Sequence, residues 1–203
     1  MQFRWVAFSA IIVTLVLAAG CASTTPPESG ALATPYPSGT VPSGASIVSS
    51  SGTFSLRAAD LNPGDTLPQV YTCTGASESP QVTWENVPAG TKSLVLILED
   101  PDAPKGIFTH WIVFNIPPDI HELARAQPNA KVLSNGAQQG DNSAGSRGYY
   151  PPCPPVGAEH RYRFFLYAVD MDITQPAADR DSINWALADH TLGRAEFVTT
   201  YKR

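Results

Sequence analysis

"SLVLILEDPDAPKGIFTHWIVFNI", residues 93–116, decides the fold of this chain. It begins with the apolar run "SLVLIL" at 93–98 and ends with "HWIVFNI" at 110–116. Both runs have strand length and lack an alternating polar face, as expected for strands covered on both sides. Between them lie Glu99, Asp100 and Asp102 among prolines, and His110 opens the second run. Two buried neighbouring strands would thus carry acids and an imidazole to one end of the apolar interior.

Working outward, the remaining apolar segments are short and are separated by Pro, Gly, Asn and Asp. "TFSL" at 53–56 and "PQVTW" at 80–84 read as strands, the second followed by the turn "NVPAGT". "RYRFFLYAVD" at 161–170 puts Tyr162, Phe164, Leu166 and Ala168 on one face, and "RAEFVTTY" at 194–201 alternates in the same way. One helix is predicted, capped by Asp179 or Asp181, carried by "SINWALADHTL" and ended by Gly193. The fold class that follows is mainly β, an antiparallel β-sandwich with a C-terminal helix. The stretch from Leu133 to Glu159 is a long connection holding aromatics and four prolines around Cys153. Loops of that length in compact domains usually carry function, so it is expected to shape a surface.

The N-terminal region has a different composition. Arg4 precedes an uncharged, mostly apolar run from Trp5 to Ala19, and small residues lead to Cys21. This is the pattern of a signal peptide over residues 1–20. The ending "LAAGC" resembles the lipobox of bacterial lipoproteins, with Ala18 where Leu is preferred, which makes Cys21 the lipidation site. Residues 21–52 are mostly Ser, Thr, Pro, Gly and Ala with Glu28 as the lone charge, and read as a flexible tether from membrane to domain. The domain is expected over 53–203. These features imply an extracytoplasmic protein of the bacterial envelope, held to a membrane by lipid.

The net charge of −5 and the lack of any Lys/Arg run argue against nucleic-acid binding. No CxxC or Cys/His metal spacing occurs, and neither a metal nor another cofactor is expected. With Cys21 assigned to lipid, Cys73 and Cys153 remain, either as free thiols or as a disulfide closing a long loop. In the second case the chain-entropy gain would be about 4 kcal/mol.

Several ordered motifs now combine. "DPDAP", a spacer, "HW" with "NIP" beyond it, and then "PCPP", "HRY" and "LYA" resemble the phosphatidylethanolamine-binding protein family, especially its bacterial Raf kinase inhibitor-like branch. The flanking stretches "YTCTGASESP" and "AEFVTTYKR" agree, so the resemblance spans nearly the whole domain. It implies a small β-sandwich with a shallow anion-accepting pocket. By motif, Asp100 and Asp102 would line its wall, His110, His160 and Tyr162 would supply polar groups, and Pro104 and Pro154 would form the rim. The implied ligands are phosphate, phospholipid head groups or carboxylates, with a protein partner as a further implication.

Chemically, a carboxylate can orient an imidazole and raise its pKa, so that imidazolium meets an anion. The Asp residues are therefore expected to orient and the His residues to contact, with binding that strengthens as pH falls. Relatives often carry "YGGPCPP" where this chain has "YYPPCPP". Tyr150 and Pro151 should stiffen the loop wall, with Tyr150 filling part of the pocket. The rival reading is a weak hydrolase using pocket His and Asp, with Ser79 or Cys153 as nucleophile. No GxSxG elbow or HExxH helix supports it.

Overall fold

A computed structural model describes residues 52–174 and 178–203. The predicted signal peptide, Cys21 and the tether up to residue 51 lie outside the described residues. In chain order the elements are β1 (Ser55–Ala58), a short 3-10 turn (Gln69–Tyr71), β2 (Val82–Glu85), β3 (Ser93–Asp100), β4 (Phe108–Ile116), β5 (Glu122–Leu123), β6 (Gln138–Gln139), β7 (Glu159–Val169), α1 (Arg180–Leu187) and β8 (Thr191–Lys202).

The strands make two sheets. One has the order β1-β2-β5 and the other β6-β4-β3-β7-β8, and every pairing of these strands is antiparallel. The unbroken apolar run of β3 now has its cause. Leu94, Leu96 and Leu98 join Val82, Trp84, Trp111 and Phe164 in the core that contains the first sheet's side chains. Val95 and Ile97 belong to a second core with Ile112, Phe114, Ile183 and Leu187, under α1. All eight residues of β3 are buried. Covering a strand on both faces removes the polar alternation that a half-exposed strand would show.

The helix begins where expected. Asp179 is its N-cap and accepts from the Ser182 amide at 2.9 Å. It ends at Leu187, however, and Gly193 is not its cap but part of β8. A Cβ at Gly193 would meet Pro88 Cγ at 2.8 Å, so the glycine permits close packing. Trp185 is 74% exposed on the outer face of α1.

The β3–β4 pairing contains the irregularity that matters for function. Leu98 pairs with Trp111 and Glu99 with Thr109, which leaves His110 as an extra residue in β4. A bulge of this kind re-aims a side chain out of strict alternation. Without it, His110 would share the side of Ile112 and face the helix layer. With it, His110 stands among Phe108, Tyr150 and Tyr162, at ring-centroid distances of 4.7, 6.2 and 5.4 Å.

Candidate functional site

A hollow of about 310 Å³ opens where β3, β4 and β7 end, lined chiefly by Asp100, Phe108, His110, Tyr150, Pro154 and His160. Asp100 is the last residue of β3 and lies in the sheet beside β7, near whose start His160 sits. The His160 Nδ1–H donates to Asp100 Oδ2 at 2.7 Å, and the Asp102 amide donates to Asp100 Oδ1 at 2.8 Å. Asp100 and His160 are both buried. The carboxylate fixes the tautomer of His160 and leaves Nε2 as the ring atom free to meet a ligand.

His110 is held differently. Its Nδ1–H donates to the Tyr150 carbonyl at 2.8 Å, and the Tyr150 amide donates to the His110 carbonyl, also at 2.8 Å. Burial lowers the ring's pKa from 6.5 to about 4, against the smaller raising effects of the Tyr150 carbonyl and Asp100. His110 is thus neutral near pH 7, contrary to the expectation of an imidazolium at this position. Its Nε2 is buried without a hydrogen-bond partner among the described residues. Tyr162 is fully buried, its hydroxyl is likewise without a partner, and burial raises its pKa.

Other expected site residues stand apart from the hollow. Asp102 turns to Arg161, accepting from its amide at 2.9 Å, from Nε at 2.9 Å and from Nη2 at 2.6 Å. Those bonds lower the Asp102 pKa to about 2. It is a corner carboxylate and does not line the cavity; its indirect link to the site is its own amide on Asp100. Pro104 is exposed and also outside the lining, and Tyr162 lies beneath His110 rather than on the wall. Pro154 is a wall residue. Phe108 was missed by sequence reasoning, although its place beside the bulge follows once the register is known.

Cys73 and Cys153 form a disulfide, with S–S 2.06 Å and Cα–Cα 5.4 Å. It anchors the cavity wall to the segment after the 3-10 turn, reinforced by the Cys73 amide bonding to the Pro152 carbonyl at 3.0 Å. A disulfide sulfur is not a thiolate nucleophile. The other nucleophile candidate, Ser79, is buried away from this hollow, where its Oγ accepts from the Gln127 amide at 2.8 Å.

The opposite face of the same strand ends carries a second hollow of about 370 Å³, lined by Glu99, Thr109, Asp141, Asp179, Arg180 and Asp181 among others. Its acids are partly committed. Arg180 pairs with Glu99, Arg147 pairs with Asp141 at 3.0 Å, and Asp179 caps α1. Among the described residues, no group of three or more His, Cys, Asp and Glu is placed to hold a metal ion. The smaller hollow is the better candidate because it combines a buried His–Asp pair with an unpartnered ring nitrogen.

Residues 57–202 match the family model described as phosphatidylethanolamine-binding protein. A UPF0098 protein of Methanothermobacter thermautotrophicus is 43% identical over 152 residues, which cover 74% of this chain and 99% of that one. A UPF0098 protein of Chlamydia trachomatis is 39% identical over 146 residues, covering 69% of this chain and 93% of that one. Among solved structures, a phosphatidylethanolamine-binding protein homolog from Chlamydia trachomatis matches with a TM-score of 0.68 and 36% identity, over 74% of this chain and 98% of its own. The Escherichia coli protein YBCL, described as a new member of the mammalian family, matches with a TM-score of 0.68 and 29% identity, over 75% and 99%.

Proposed function

The chain belongs to the phosphatidylethanolamine-binding protein family, and we propose that it is a binding module whose Asp100–His110–His160 hollow holds a small oxyanion. The ligand class is phosphate, a phospholipid head group or a carboxylate. The observation that carries this reading is the buried His160–Asp100 pair at 2.7 Å in a hollow of about 310 Å³. Asp100 orients His160 and offsets the charge of its imidazolium form, the form in which Nε2–H meets an oxyanion. The apolar wall of Phe108, Tyr150 and Pro154 keeps competing water few in number and strengthens that contact.

The family's name supplies the head-group candidate, and the UPF0098 relatives carry no enzymatic name. With Cys153 oxidised, nothing in the hollow offers an activated nucleophile, so binding without turnover is the reading we adopt. The N-terminal pattern supports an envelope protein anchored by lipid at Cys21, from which the domain meets its ligand and possible partner proteins outside the cytoplasm. Cys21→Ser should then move the protein from the membrane fraction to the soluble one.

The direct test is titration of phosphate, phosphoethanolamine and acetate into the full chain, followed by calorimetry and by NMR of the histidine rings. Saturable binding that perturbs His110 and His160, and that weakens at least tenfold in His160→Ala, is expected. Failure of all three anions to perturb either ring would end this reading.

A further inference from the structure

The larger hollow, on the opposite face of the same strand ends, has a chemistry of its own. Thr109 lines it, pairs across the sheet with Glu99 and is 2% exposed. The main chain of Thr109 is engaged. Its amide donates to Ser143 Oγ at 2.8 Å, and its carbonyl accepts from the Ser143 amide at 2.9 Å. The Thr109 hydroxyl has no hydrogen-bond partner among the described residues, and unlike the Tyr162 hydroxyl it is not sealed off from its hollow. A side chain buried this deeply normally has its polar atom satisfied, so the free hydroxyl points to a ligand. The groups around it are acceptors. Asp181, in the first turn of α1, is exposed and makes no hydrogen bond or ion pair among the described residues. Asp179 commits Oδ1 to the Ser182 amide and hydroxyl, and Asp141 commits Oδ1 to Arg147, so each keeps Oδ2. The lone cation among the described lining residues, Arg180, is paired with Glu99.

Such a surface suits a cation rich in donors. An anion would meet three carboxylates, and the attraction of the α1 N-terminus for negative charge is already met by Asp179 at the cap and Asp181 beside it. A bare metal ion fits poorly, because among the described residues no three acids converge on one point. The carboxylates are instead spread around a hollow of about 370 Å³, which Ile107, 62% exposed, also lines. An ammonium group has three N–H donors and no acceptor, and the methylenes between two such groups can lie along Ile107. We propose that this hollow binds an aliphatic di- or polyamine, with its ammonium groups on Asp141, Asp179 and Asp181 and one of them also on the Thr109 hydroxyl. The site is separate from the Asp100–His110–His160 hollow and does not depend on the anion-binding reading of it.

The test titrates 1,4-diaminobutane, 1-aminobutane, tetramethylammonium and Mg²⁺ into the full chain by calorimetry at low ionic strength, where surface charge is least screened. The diamine should bind saturably, one per chain. The monoamine, with one ammonium, should bind roughly fivefold more weakly, and tetramethylammonium, with no N–H to donate, roughly tenfold more weakly. Equal affinity for all four cations would mean diffuse attraction to an acidic protein and would overturn the inference, as would no binding of the diamine. Variants locate the site. Asp181→Asn should weaken the diamine roughly fivefold, whereas Asp119→Asn, which removes an equal charge from an exposed position beyond the other end of β4, should leave it within about twofold. Equal losses in both variants would count against this hollow. Thr109→Val is the sharper change, because it keeps the shape and the main-chain bonds to Ser143 and removes only the free hydroxyl. It should leave Tm unchanged or raise it, since no partner is lost, and weaken the diamine roughly threefold to tenfold. A lowered Tm with undiminished diamine binding would show that hydroxyl to be structural and would overturn its role here. The wild-type cation series needs no variant, so a variant that fails to fold does not affect it.

Discussion

The neutral, buried state of His110 has a measurable cost in acid. In the unfolded chain its ring should titrate near its ordinary value of 6.5, whereas in the fold burial holds it at about 4. Between these values the unfolded state binds the extra proton, so stability must rise with pH there and be lost as pH falls. Each pH unit is worth about 1.4 kcal/mol, so the window holds about 3 kcal/mol. The contribution is complete above pH 6.5 and gone below about 4. The control is His110→Asn, whose amide keeps a donor for the Tyr150 carbonyl but does not titrate. Urea unfolding of both proteins at pH 7.5, 6, 5 and 4 gives the difference curve. His121, His160, His190 and the carboxylates are common to both proteins, so that curve isolates His110. Relative to the variant, the wild type should lose about 3 kcal/mol between pH 7.5 and 4. Curves that run parallel to within about 0.5 kcal/mol would refute the buried-neutral assignment.

Three other expectations follow from the geometry. The Cys73–Cys153 bridge spans 80 residues, so Cys73→Ser with Cys153→Ser should cost about 4.5 kcal/mol on the chain-entropy account and lower Tm by about 10 °C or more in a scanning calorimeter. Asp100→Ala should destabilise by about 3 kcal/mol, because it strands His160 in a buried site, while Asp100→Asn should cost less in the same denaturant series. Asp102→Ala removes an exposed ion pair with Arg161; it should cost about 1 kcal/mol or less and leave phosphate affinity within about twofold by calorimetry.

The fold was legible in the sequence wherever burial leaves a composition signal. The unbroken "SLVLIL" run announces a strand covered on both faces, and β3 is that strand. The helix start was legible to within two residues, since Asp179 and Asp181 were both candidate caps and Asp179 is the cap. Gly193 misled because a glycine after a helical pattern looks the same whether it ends the helix or makes room for Pro88. For the site, sequence motifs grouped Asp100 with Asp102 but could not separate their roles. That separation depends on Arg161, 59 residues away, which takes Asp102 for itself. Nor did the sequence tell of the charge state of His110. A motif gives the residue type, whereas the depth of burial and the bulge that turns the ring inward exist only after the strands have paired.

Residue 150 is joined to β4 by its own main-chain N–H and C=O, one to the His110 carbonyl and one to the His110 ring. Neither link uses the phenol. The side chain at this position is therefore an exchangeable shutter on a fixed frame: a smaller residue would widen the entrance, and another aromatic would reshape it, without unfastening the histidine behind. Descendants of this chain could retune what enters the hollow by altering a single codon.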